Sequence, residues 1–269
     1  MLDKFGRIIN TIRISVTDKC NLKCYYCITD ENSYYQPKEI LTFEEITEIV
    51  KEAATLGITR VKLTGGEPLV RKNIVALVRM IKNIKTIDDL SITTNGTFLE
   101  ELADSLKNAG LDRINISIDS LDEKLYYEIT GGGDLKKVLS GIDRAKEFFR
   151  GKIKINTVLL KDRNENQIET IKEFCQKNDF GFQLINQMNL QKDKIYSENF
   201  EITHKPADCS FCNRIRLTSD GKLLPCLFSN IEIDIKKYHS IKEALTECIN
   251  QKIKKGNKCN TKSMVSIGG

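Results

Sequence analysis

The chain has 269 residues, with 42 Lys and Arg against 37 Asp and Glu, nine Cys and no Trp; at about 100–200 residues per domain it is one large domain, or one domain with an appendage. A composition 40% hydrophobic and 29% charged excludes wholesale disorder and a collagen-like chain, and no uncharged apolar run reaches the roughly 18 residues of a membrane-spanning helix. The first residues lack a secretory h-region, so the expectation is a cytoplasmic protein, and a net charge of +5 admits a phosphate-bearing ligand but not the basic stripe of a nucleic-acid binder.

Taken in chain order, residues 8–16 read as a strand in which Ile12, Ile14 and Val16 alternate with polar neighbours. Thr42-Phe-Glu-Glu45 is a capping box that opens a helix ending at Gly57. Strands are predicted at 59–64, 90–94, 114–118, 153–159 and 182–185. Helices are predicted at 74–84, 98–109, 123–129, 135–149 and 167–176. Six strand-then-helix units in succession argue for an α/β fold with a parallel sheet. Six is short of the eight units of a closed barrel, so the expected architecture is a partial (β/α)6 TIM-like barrel over residues 1–190. Ligands of such sheets sit at the carboxyl ends of the strands.

From 191 to 269 the texture changes to a smaller C-terminal region. Residues 214–218 and 222–227 flank Ser219-Asp220-Gly221, which reads as a hairpin. Ser240-Ile-Lys-Glu243 is a second capping box, opening a helix toward 254.

The cysteines fall into two groups and three singles. Cys20, Cys24 and Cys27 share a loop after the first strand, and Cys209, Cys212 and Cys226 bracket the hairpin. An odd number in a chain long enough to bury a core argues for metal or redox chemistry rather than a disulfide framework. Three thiolates are one short of a closed zinc site, and they suit a cubane iron–sulfur cluster with one iron left open. Zinc completed from elsewhere and plain structural thiols stay open at both groups, with Cys248 or Cys259 as a fourth ligand at the second. Cys175 and Cys248, on predicted helices, read as buried thiols.

Other unusual residues follow the strands: Gly65-Gly-Glu-Pro68, Thr94-Asn-Gly96, and Ser117 with Asp119. Gly65 and Gly66 would let backbone approach a ligand, and the Glu67 carboxylate would suit an ammonium. Arg60 and Lys62 share one side of a strand, as do Arg214 and Arg216, which suits either a triphosphate or a solvated polar face.

The Cys-x3-Cys-x2-Cys run with Tyr26 before its third cysteine, together with Gly65-Gly-Glu, resembles the radical S-adenosylmethionine (SAM) superfamily. Within it, the runs 13–24, 63–69, 93–96, 115–121, 212–222 and 225–228 and the terminal Gly268-Gly269 resemble the GTP 3′,8-cyclase family of molybdenum cofactor biosynthesis. That resemblance implies two 4Fe–4S clusters. One, on Cys20, Cys24 and Cys27, would bind SAM at its open iron and yield a 5′-deoxyadenosyl radical. The other, on Cys209, Cys212 and Cys226, would bind the guanine of GTP. It implies SAM contacts at Tyr26, Gly65, Gly66, Glu67, Thr93, Ser117 and Lys154. Substrate contacts are implied at Arg13, Arg60, Lys62, Arg214, Arg216, Gly268 and Gly269.

The implied product is 3′,8-cyclo-7,8-dihydro-GTP, passed to a cyclic pyranopterin monophosphate synthase. The implied reductant is a flavodoxin or ferredoxin, with no nucleic acid or membrane partner and a homodimer allowed. Two departures stand out. Gln183-Leu-Ile-Asn-Gln-Met188 replaces a family run carrying an arginine and a carboxylate, and residues 189–208 are shorter than the family's segment there. They leave open a related enzyme acting on another nucleotide or a peptide. A metal-binding module without catalysis is the alternative of a different class.

Overall fold

The computed structural model describes residues 1–27, 35–187 and 209–256. Six strands, β1 (Thr11–Ser15), β2 (Arg60–Thr64), β3 (Asp89–Thr94), β4 (Arg113–Ser117), β5 (Ile153–Leu159) and β6 (Gly181–Asn186), run parallel. They alternate with α1 (Phe43–Thr55), α2 (Ile74–Lys82), α3 (Leu99–Asn108), α4 (Glu123–Thr130), α5 (Leu135–Phe148) and α6 (Ile168–Asn178). Every predicted strand and helix of this half is present, with shifts of one to three residues at the ends. The sheet does not close: β6 is one edge, and the architecture is the expected partial TIM-like barrel.

Period-two alternation sorts the side chains. Ile12, Ile14, Leu63, Leu90, Ile92, Ile114, Ile116 and Ile155 are fully buried under the helices. Their neighbours Arg13, Lys62, Ser91, Arg113 and Lys154 line the inner face. The Thr42 box opens α1 as predicted: Glu45 N–H donates to the Thr42 hydroxyl, and Thr42 N–H donates to the Glu45 carboxylate.

The C-terminal region extends the same sheet. After the hairpin of β7 (Arg214–Leu217) and β8 (Lys222–Leu224) comes a short β9 (Ile233–Asp234), which the sequence did not announce. The strand order is β6-β5-β4-β3-β2-β1-β7-β8-β9, with β7 parallel to β1. The last helix, α7 (Ile241–Asn250), is shorter than predicted, because the chain turns and buries Lys252. Among the described residues, no helix is long and apolar enough to cross a membrane.

Candidate active site

The loop bearing Cys20, Cys24 and Cys27 leaves the carboxyl end of β1 and is held from three sides. Lys23 N–H and Tyr25 N–H donate to the carbonyls of Thr130 and Ile129 at the end of α4. Asn21 donates to the Thr97 hydroxyl and accepts from the Asn95 amide beyond β3. Tyr26 donates from its phenol to Asp119 Oδ2 at 2.6 Å. Burial pushes the Cys20 thiol up and the Cys27 thiol up to about 11. The Cys24 thiol is pushed up as well, so a ligand that takes all three as thiolates must supply compensating positive charge.

The glycine turn lies directly against this loop. Gly66 N–H donates to Thr17 O and Glu67 N–H to Lys19 O. A Cβ on Gly65 would lie 2.5 Å from Thr17 O, and one on Gly66 would lie 2.4 Å from Lys19 O. Only glycine fits there. The Glu67 carboxylate has a structural role as well as a place in the site. It is 1% exposed, and it accepts from Leu69 N–H at 2.9 Å, the Thr94 hydroxyl at 2.7 Å and Asn95 N–H at 2.6 Å. It stitches the turn to β3, because a carboxylate buried this deeply must satisfy its own oxygens. It still lines the cavity beside Gly65 and Gly66.

Between the sheet's inner face and these loops lies a cavity of about 410 Å³. Cys20, Cys24, Tyr26, Cys27, Gly65, Gly66, Glu67, Thr93, Ser117 and Lys154 all line it, so the structure gathers every residue read as cluster- or SAM-binding in the first half. Arg13, Arg60, Lys62 and Arg214 line it too, whereas Arg216, 5% exposed, is buried beside Arg13. Strand register explains the cations: Arg216, Arg13, Lys62, Ser91 and Arg113 form one row across β7, β1, β2, β3 and β4. Burial together with Arg13, Lys154, Arg113 and Arg214 drives the Lys62 ammonium down to about 7. An anionic ligand would relieve that mutual repulsion.

Sequence reasoning missed several lining residues. Arg113 is paired with Asp89 at the amino ends of β4 and β3. Thr64 on β2 and Asn156 on β5 line the cavity with Thr93, and each of these three holds a buried side-chain oxygen with no hydrogen-bond partner. Buried oxygens without partners are costly unless a ligand supplies them. Period-two counting along β5 from Lys154 and along β2 from Lys62 would have put Asn156 and Thr64 on the same face. Gln183, in place of the family arginine, accepts from Lys154 Nζ at 2.5 Å.

The second thiol group stands at the opposite end of the sheet. Cys212 precedes β7, which runs parallel to β1, and Cys226 follows the antiparallel β8. Both therefore lie at the amino end of β1, while Cys20 lies beyond its carboxyl end. Asn213 and Arg214, next to Cys212, reach the cavity wall. Burial pushes the Cys212 thiol up, but the ammonium of Lys252, a backbone hydrogen bond at Arg214 and the Arg214 charge outweigh it and leave it lowered. Cys175 and Cys248 are core residues, as expected. A zinc ion draws its ligands onto one point, and among the described residues no three His, Cys, Asp or Glu side chains converge in that way. Cys259, Gly268, Gly269 and residues 189–208 lie outside the described residues.

A thiol trio without competing histidine, a glycine cradle and three unpartnered oxygens fit an iron–sulfur cluster with a bound amino-acid-bearing nucleoside such as SAM. Comparison with known proteins agrees. Residues 14–175 match the family model described as Radical SAM superfamily, and residues 201–262 match Molybdenum Cofactor Synthesis C. The chain is 43% identical over 276 positions to the GTP 3′,8-cyclase of Alkaliphilus oremlandii, covering 87% of this chain and 86% of that one. It is 37% identical over 293 positions to that of Clostridium botulinum strain Langeland, covering 94% and 92%. Both alignments are longer than the chain, so these relatives carry residues that it lacks.

In fold it is similar to Streptococcus suis SuiB bound to its precursor peptide, with a TM-score of 0.70 and 19% identity over 88% of this chain and 64% of that one. It is also similar to anSMEcpe with bound AdoMet, with a TM-score of 0.63 and 16% identity over 91% and 81%. Membership of the superfamily implies one 4Fe–4S cluster and SAM. The chain belongs to the radical SAM superfamily and, within it, to the GTP 3′,8-cyclase family.

Proposed function

We propose that this enzyme converts GTP to 3′,8-cyclo-7,8-dihydro-GTP in molybdenum cofactor biosynthesis, in a cavity lined by the first thiol trio and by Asn213 and Arg214, which follow Cys212. The observation that carries this reading is the set of cations Arg13, Arg60, Lys62, Lys154 and Arg214 on the cavity's inner face, with Arg113 beside them already paired with Asp89. A triphosphate satisfies that many cations where a neutral or singly charged substrate does not.

Cys20, Cys24 and Cys27 would hold the first cluster, and Gly65, Gly66, Thr93, Ser117 and Tyr26 would seat SAM beside it. When bound, these groups supply the 5′-deoxyadenosyl radical that takes the ribose 3′ hydrogen. Cys209, Cys212 and Cys226 would hold a second cluster facing the guanine. Arg13, Arg60, Lys62 and Arg214 grip the phosphates and fix the ribose between the two ends. Gly268 and Gly269 would close the site. Across the net reaction C3′ joins C8 of the base, and product and substrate have the same mass.

Residues 1–190 act in this reading as the radical-generating barrel and residues 191–269 as the auxiliary-cluster region. A one-electron donor of the flavodoxin or ferredoxin class feeds the first cluster, and a cyclic pyranopterin monophosphate synthase consumes the product in the cytoplasm.

The test is an anaerobic incubation of iron- and sulfide-reconstituted enzyme with dithionite, SAM and GTP, followed by mass spectrometry. GTP-dependent 5′-deoxyadenosine together with a GTP isomer of new retention time is the expected result. 5′-Deoxyadenosine formed at the same rate without GTP, and no isomer, would reject GTP as the substrate.

A further inference from the structure

A lysine is almost never fully buried without partners. Lys252, just past α7, is 1% exposed. Its ammonium donates to Arg214 O at 2.7 Å and Pro225 O at 2.9 Å, and it lies 3.4 Å from Cys212 Sγ. Three donors meet three acceptors, so the group is fully spent. Two of these acceptors are carbonyls and one is a sulfur; none is a carboxylate. The two carbonyls belong to opposite arms of the β7–β8 hairpin: Arg214 lies two residues after Cys212, and Pro225 immediately precedes Cys226.

The adjoining chain completes a clasp. Arg7 is 8% exposed and is held by Asp3 at 2.6 Å. Its guanidinium donates to Cys209 O at 2.5 Å and to Ile253 O at 2.9 Å. Gly256 passes so close that a Cβ there would lie 3.0 Å from Cys226 Sγ and 2.9 Å from Phe228 Cβ. The segment after α7, with Arg7, thus touches each of the three residues that carry the second thiol group.

We propose that Lys252 is a positioning residue for this group. It fixes the opening between Cys212 and Cys226, and it places a buried positive charge beside the cluster they would hold. The inference rests on reading Cys209, Cys212 and Cys226 as cluster ligands. A cluster on three thiolates is anionic and becomes more so on reduction, so a buried ammonium with N–H···S geometry favours assembly and the reduced state.

The experiment compares reconstituted wild type with Lys252→Met, Lys252→Arg and the triple variant Cys209→Ala, Cys212→Ala and Cys226→Ala. Iron and sulfide per chain are counted, and each cluster's midpoint potential is followed by electron paramagnetic resonance. The triple variant is expected to lose one cluster's iron. Lys252→Met loses most of that same increment, its residual second cluster reduces at a more negative potential, and the first cluster's signal is unmoved. Lys252→Arg restores both properties. If the triple variant holds as much iron as wild type, the cluster reading falls and takes the inference with it. If the triple variant loses iron while Lys252→Met keeps it at an unchanged potential, Lys252 alone is overturned. Should Lys252→Met fail to fold, Lys252→Gln keeps N–H donors without the charge, and an unshifted potential there overturns the inference equally.

Discussion

Tyr26 and Asp119 are joined by a 2.6 Å hydrogen bond in which the phenol donates to the buried carboxylate. The other carboxylate oxygen accepts from Val158 N–H at 2.7 Å, so one side chain pins the first cysteine loop to β5. Removing the phenol leaves a buried carboxylate oxygen without that donor. Tyr26→Phe is expected to lower unfolding free energy by about 1.5–3 kcal/mol, the scale of a hydrogen bond to a charged group. Anaerobic denaturant titration measures the loss. Faster iron release to a chelator would show that the loop, rather than the barrel, loosens first.

Two buried carboxylates make the barrel sensitive to pH in an unusual direction. Burial raises Asp119 from 3.8 to about 6 and Glu67 from 4.5 to about 7, against the hydrogen bonds that favour their ionised forms. The folded state therefore binds more protons than the unfolded state between these values, and stability falls as pH rises through them. The melting temperature of the metal-free protein should drop between about pH 4.5 and 7, and Glu67→Gln should flatten that slope. A melting temperature that climbs across the same window in wild type would contradict the burial argument.

Lys62 titrates in the opposite sense when ligand arrives. Its ammonium sits near 7 because burial and surrounding cations disfavour the charge. A triphosphate reverses that repulsion and draws a proton onto the amine. GTP binding should take up protons above about pH 7, and affinity should weaken as pH rises. Calorimetry in buffers of differing ionisation enthalpy reads the proton count. Lys62→Met should abolish the uptake and weaken binding by roughly tenfold to a hundredfold, the equivalent of one charge-assisted hydrogen bond.

Gly66→Ala tests the cradle. The new Cβ would meet backbone, 2.4 Å from Lys19 O and 2.7 Å from Asp18 O, and neither atom can swing aside as a side chain would. Overpacking of this kind costs about 1–3 kcal/mol. The damage should fall on the Cys20 loop, read as lost iron at the first site and weaker SAM binding, while the far-ultraviolet circular dichroism stays as in wild type.

What the sequence reveals and what it hides divide along range of interaction. The α1 capping box, the βα rhythm and the cysteine loop are local, and each was readable from a few neighbouring residues. Even the shared side of Arg60 and Lys62 follows from strand period alone. The anchoring share of Glu67 was hidden, because its three donors come from its own turn and from β3, and only the folded turn brings Thr94 and Asn95 to it. The placement of β7 beside β1 unites Arg13 with Arg216 across 203 residues of chain, and no local pattern encodes it. Lys252 looked like one more helix lysine until the chain turned at Asn250.

β1 has five residues, and a strand advances about 3.3 Å per residue, so roughly 15 Å lies between the end that feeds the Cys20 loop and the end where Thr11 pairs with Arg214. The strand works as a ruler. A ligand laid along that length meets the Cys20 loop at one end and Arg214 at the other, with Arg13 and Lys62 at its middle. Lengthening β1 by a pair of residues would keep the same inward-facing side chains and yet carry the Cys20 loop away from Arg214.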